Sequence, residues 1–161
     1  VILTFTAFGV ALPKGNHKAF VPRGMHFPVI TETNRNVVSW QQLVKHAASE
    51  ALTRIDDLER RVLCDGVRLS IAFVLPRPKS LPKRITAHLK APDLDKLSRC
   101  IADALSGVVY RDDCQVCELV AAKRYAAIGE APHVTVRVEP TAGIVTIAPA
   151  DQPRLLLALE S

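Results

Sequence analysis

Val67-Arg-Leu-Ser-Ile-Ala-Phe-Val-Leu75 decides the fold. Val67, Leu69, Ile71, Phe73 and Leu75 alternate with their neighbours, so the stretch predicts a strand with one buried face. Pro76-Arg-Pro-Lys-Ser-Leu-Pro82 stops it. Residues 76–92 are too basic and too interrupted for core, and predict an extended arm. A helix follows over about 93–106, with Leu94, Leu97, Ile101, Ala104 and Leu105 as its apolar stripe and Gly107 as its stop.

Working outward, Ser39 reads as the N-cap of a helix over about 39–63, with Leu43, Val44, Ala47, Ala51, Leu52, Ile55, Leu58 and Val62 at helical spacing. Residues 2–8 alternate as a strand. Residues 11–28 carry Pro13, Gly15, Pro22, Gly24 and Pro28, which predicts a loop without regular structure. Residues 114–125 predict a strand, Ile128-Gly129 a turn, and 133–139 a strand with Val134, Val136 and Val138 on one face. Strands ending in a hairpin, with two main helices to pack on one face, imply a single small α+β domain with a mixed or antiparallel sheet. The domain runs over 1–139, with 140–161 as a C-terminal extension that could add a short strand at 143–147.

At 161 residues the chain is long enough to bury a core. Its formal net charge is +5. Residues 76–99 alone carry Arg77, Lys79, Lys83, Arg84, Lys90, Lys96 and Arg99 against Asp93 and Asp95, an excess equal to that of the whole chain. Lys14, Lys18 and Arg23 add charge near the start, beside Phe20 and Phe27. A field of this kind favours a phosphate-rich partner; a solvated, solubilising face is the plainer account. No stretch reaches the ~18–20 apolar residues of a membrane span. Cys64, Cys100, Cys114 and Cys117 form no disulfide framework and suit a reducing cytoplasm. Cys114-x-x-Cys117 has the spacing of half a zinc site, but no second pair exists and both fall in a predicted strand. The five histidines form no ligand-spaced pair, and no phosphate-cradling Gly-rich loop is present.

Acid set inside this basic surround points to chemistry on a polyanion. Asp93 and Asp95 open the second helix, and Asp112 and Asp113 follow it. Helix capping and dipole compensation explain the first pair without any chemistry, and a turn explains the second. Chain length permits more. From Asp95 to Leu105 a helix rises only ~15 Å, and residues 106–113 reach back over ~25 Å at most. Asp113 can therefore return to the helix start beside Asp93 and Asp95. Three carboxylates there would repel without a cation between them. Mg²⁺ is the natural one, as an oxygen-liganded activator of water and a neutraliser of phosphate charge. Arg99, one turn further in, could assist the phosphate.

These residues also resemble a known family. Asp93-Leu-Asp95, Leu97, Asp103-Ala-Leu105 and Asp112-Asp113-x-Gln115-Val116 are similar to the core motif of the RusA family of Holliday junction resolvases, and Leu12-Pro-Lys14-Gly15 resembles its N-terminal turn. The resemblance spans roughly residues 1–139 and concentrates in 91–125. It implies a bacterial or phage-encoded, cytoplasmic, Mg²⁺-dependent homodimer that resolves four-way junctions by paired symmetric nicks. It also implies that Asp93, Asp95 and Asp113 are essential, with Asp112 as a further metal ligand. Two positions depart from the family: Lys96 stands where Asn is usual, and Arg99 where a catalytic Lys is usual. Arginine keeps the charge but can hardly release a proton, so Lys96 is a second candidate for the cation. Lys14, Lys18, Arg23, Arg77, Lys79, Lys83, Arg84 and Lys90 are the expected DNA contacts. The departures also leave open a non-catalytic junction-binding module, and a nuclease acting on flaps or linear duplex is a third reading.

Overall fold

The computed structural model describes residues 2–15, 18–20, 29–31, 36–55 and 66–141. Its centre is a four-stranded mixed sheet in the order β1-β6-β4-β5. The strands are β1 (Leu3–Phe8), β4 (Val67–Leu75), β5 (Val116–Tyr125) and β6 (His133–Pro140). Two helices, α1 (Asn36–Leu52) and α2 (Leu94–Leu105), pack on the sheet. The arrangement is the α+β domain that the pattern implies.

Strand β4 is central because its alternation is backed by volume. Val67, Leu69, Ile71, Phe73 and Leu75 are all buried, and Phe73 is among the largest fully enclosed side chains. From β6, Val134, Val136 and Val138 are completely enclosed. Leu97, Ile101 and Leu105 from α2 meet them in one core with Trp40 and Val44 from α1. Burying a Phe or Trp of this kind contributes about 3–5 kcal/mol, judged by the cost of truncation.

The hairpin expected at the end of the domain does not form. β5 and β6 follow one another in sequence, yet β4 lies between them. β5 pairs with β4 in parallel, from Val67↔Val116 to Leu75↔Tyr125, and β6 pairs with β4 antiparallel. A period of two fixes which face of a strand is buried, not which strand lies beside it. β6 therefore takes the inner place between β1 and β4, where its three valines are covered.

Helix α1 begins at Asn36, so Ser39 lies inside its first turn rather than at its N-cap, and the helix ends at Leu52 instead of continuing to 63. Its buried stripe is Val37, Trp40, Val44, Ala48 and Ala51, while Leu43 is half exposed. Trp40 sets this phase because its bulk demands the core. Gly9 lets the indole in: its φ is +139°, and a Cβ there would stand 3.1 Å from the Trp40 ring. The 11–28 segment is not wholly irregular. Lys18–Phe20 (β2) pairs antiparallel with Val29–Thr31 (β3). Residues 21–28 between them lie outside the described residues, as do 56–65 and the tail from 142, with the strand suggested at 143–147.

The arm over 76–92 has no helix or named strand, as its prolines require. It is nonetheless fastened to the sheet. The Arg77 guanidinium donates to the carbonyls of Ala126, Pro82 and Ile85, at 2.7, 3.2 and 2.7 Å. Tyr125 N donates to Thr86 O at 2.8 Å, and His88 is buried against the Tyr125 ring. The arm thus covers the end of edge strand β5 before turning into α2.

Candidate active site

Helix α2 displays the first acidic pair. Asp93 occupies the N-cap position with an extended backbone, but its side chain accepts no capping hydrogen bond. Its carboxylate pairs instead with Lys96 at 3.2 Å, on the surface. Capping alone therefore does not explain Asp93. Asp95, in the first turn, is exposed. Arg99 is exposed one turn further along, on the same face as Asp95 and Asp103.

The second acidic pair is held by a compact reversal. α2 ends at Leu105 with Ser106 as its C-cap, and Gly107 takes φ +74°, a backbone that side-chain-bearing residues rarely adopt. Gly107 N donates to Tyr110 O at 2.7 Å. The buried Tyr110 hydroxyl donates to Ala102 O at 2.9 Å, tying the returning chain to the helix. Burial, reinforced by the Asp113 and Asp103 charges, pushes this phenol above its ordinary range. A short turn over Asp113–Gln115 follows, with Asp112 as its cap. Asp112 accepts from Cys114 N at 2.9 Å, while Gln115 Oε1 accepts from the amides of Arg111 and Asp112. This reciprocal box is why Cys114 sits in a turn rather than in the strand, which starts at Val116. Both Cys114 and Cys117 are exposed free thiols.

Adjacent carboxylates here shift in opposite directions. The Cys114 amide and thiol hold Asp112 below its ordinary value. Lost hydration, then hydrogen bonding to and repulsion from Asp103 and Asp112, push Asp113 above its own. Asp113 therefore does not return to the helix start beside Asp93 and Asp95 as expected; the short reversal brings it to α2 at Asp103. That residue stands eight positions past Asp95, about 12 Å along a helix axis. Asp103 carries an ion pair to Lys14, whose backbone amide also donates to Lys96 O at 3.1 Å. Asp103 was legible in the sequence as part of the Asp103-Ala-Leu105 segment of the family motif, with no role attached to it.

The expected DNA contacts divide into two kinds. Lys79, Lys83, Arg84 and Lys90 are exposed along the arm. Lys79 and Lys83 line a groove of about 550 Å³ with Arg77, Ile128 and Glu130. Lys14 and Arg77 are engaged within the protein. The side chain of Lys18 and the whole of Arg23 lie outside the described residues. One residue near the site was not legible at all. Lys123, on β5, donates to the carbonyls of Lys90 at 2.8 Å and Pro92 at 2.7 Å, immediately before Asp93.

Among the described residues, no three His, Cys, Asp or Glu side chains stand close enough to hold a metal ion by themselves. The donor chemistry fits a hard divalent cation all the same. Lost hydration first, and then the Asp103 and Asp112 carboxylates beside it, raise the pKa of Asp113, and a cation there would offset the crowding of negative charge. Magnesium needs no closed protein cage, since it commonly binds through one or two carboxylates, waters and substrate phosphates. No described helix is long and apolar enough to cross a membrane.

Residues 11–139 match the family model described as Endodeoxyribonuclease RusA. No curated protein matches the sequence.

Proposed function

The chain belongs to the RusA family of endodeoxyribonucleases, and from that premise we propose that it resolves four-way DNA junctions by paired, Mg²⁺-dependent nicks. The observation that carries the proposal is the display of carboxylates along α2 and its return, beside an arm of exposed Lys79, Lys83, Arg84 and Lys90. The arm attracts and orients the DNA backbone, with Lys18 and Arg23 as further contacts. Asp93, Asp95 and Asp113, with Asp112 assisting, would hold Mg²⁺ together only with Asp113 drawn from Asp103 toward the start of α2. The ion, when bound, supplies an activated water and neutralises charge on the phosphate. In its absence Lys96 pairs with Asp93. Arg99 is free to swing toward a phosphate oxygen as a charge stabiliser, though not as a proton donor. Opposed nicks need two sites, which a two-fold homodimer provides.

The test is a synthetic four-way junction incubated with the protein and Mg²⁺. Paired nicks that vanish with EDTA and with Asp95→Asn are expected. Intact junctions under conditions where the folded protein binds them would leave the second reading, a junction-binding module without chemistry. The Lys96 and Arg99 departures are what favour that reading, and Arg99→Lys would then restore cutting.

A further inference from the structure

We infer that Lys123 contacts the phosphodiester at this site, and that its ammonium supplies the fixed positive charge for which Arg99 is poorly suited. The inference rests on the nuclease reading above. Three observations carry it.

The first is position. Ala121, Lys123 and Tyr125 alternate along β5 with the exposed Ala122 and Arg124, so Lys123 shares the side of the strand that is partly covered. From there it reaches across to the end of the arm and donates to Lys90 O and Pro92 O. Pro92 is the residue before Asp93, so the ammonium stands at the root of the first acidic pair.

The second is charge. Both partners of Lys123 are neutral carbonyls, and among the described residues it forms no ion pair with a carboxylate. Two other nearby lysines are spent, Lys96 on Asp93 and Lys14 on Asp103, and Lys90 projects from the exposed arm. An ammonium carries three N–H donors. Two are used here, which leaves a half-buried cation with a third donor and its full charge for an anion.

The third is preorganisation. Arg99 is exposed, on a long side chain that must be ordered when substrate arrives. Lys123 is already held by two hydrogen bonds, so its ordering cost is met before DNA binds. A cation fixed in advance stabilises developing phosphate charge better than one that must be recruited.

The test compares the wild type with Lys123→Gln and Lys123→Arg. Glutamine can keep donors for the two carbonyls but carries no charge; arginine keeps both. Junction affinity is measured against salt in EDTA, and cleavage at saturating junction in Mg²⁺. For Lys123→Gln, a salt slope smaller by about 0.9, one phosphate's worth, and cleavage reduced about 10²-fold are expected; Lys123→Arg should retain the slope and most of the rate. A Lys123→Gln protein with wild-type slope and rate would overturn the inference and leave the lysine as a staple of the arm. Equal losses in both variants with an unchanged slope would overturn it too. A wild type that binds junctions without cutting them would defeat the nuclease reading, while the slopes would still decide the phosphate contact. Amine-modification footprinting on the folded wild type is independent of any variant. Bound junction should shield Lys123, and unchanged reactivity would overturn the contact.

Discussion

The two ends of α2 carry carboxylates in different physical settings. At the start, Asp93 and Asp95 are exposed, and Asp93 pairs with Lys96, three residues along the chain. At the far end, Asp103 and Asp113 are brought together by a reversal built on Gly107, Tyr110 and the Asp112–Gln115 box. The first end is made by local sequence and would exist on any similar helix. The second exists only because the chain folds back. The carboxylates gathered by folding repel one another, and repulsion is what makes a site receptive to a cation. The lesson is that the more strained end is the better guide to chemistry.

Breaking the gathered end should have the larger effect. Asp113→Asn is expected to reduce junction cleavage about 10³-fold, with DNA binding nearly unchanged. Cleavage within a few-fold of wild type would remove Asp113 from the site.

Tyr110→Ala tests the support of that end rather than its chemistry. The ring is buried and its hydroxyl ties residue 110 to Ala102. Truncation should destabilise the domain by about 3–5 kcal/mol, read by denaturant unfolding. A loss under about 1 kcal/mol would mean that the reversal is held elsewhere.

Gln115→Ala is gentler. It removes the acceptor for two backbone amides, and should cost about 1 kcal/mol. Cleavage should fall with it, because the box aims Asp113. An unaffected rate would show that Asp113 is placed by Tyr110 alone.

The smallest effect is a difference in sign between neighbours. Asp112 is depressed in the folded state, so its contribution to stability is present above its unfolded pKa and is lost as pH falls through the lower folded value. Asp113 is raised, so its contribution is present in acid and is lost as pH rises through the higher folded value. In the absence of metal, Asp113→Asn should therefore raise the melting temperature slightly at pH 7 and not at pH 3, and Asp112→Asn should lower it at pH 7. Thermal melts at both values check this. Shifts of the same sign for both variants would show that the two carboxylates share one environment.

Much of the framework could be read from residue spacing. The strands at β1, β4 and β6, the arm and helix α2 follow from period and proline, because such signals depend on local backbone preference. Helix α1 was legible, but its phase and ends were not: a stripe through Leu43 fits the period as well as one through Trp40, and only the Gly9 notch decides between them. The expected hairpin failed for a related reason, since alternation says nothing about neighbours and β6 inserts between β1 and β4.

What the sequence by itself determined is the inventory: an α+β chain with carboxylates on and after one helix, a basic arm before it, and a motif that places it among RusA endodeoxyribonucleases. What tertiary structure decided is the company those residues keep. Asp113 meets Asp103, Lys14 is drawn to the helix, Arg77 turns inward to fasten the arm, and Lys123 arrives from β5 beneath Asp93. The physical reason is range. Propensity and period act over a few residues, whereas the contacts of Lys14, Arg77 and Lys123 join positions 31 to 89 apart. Only burial of the common core brings such positions together.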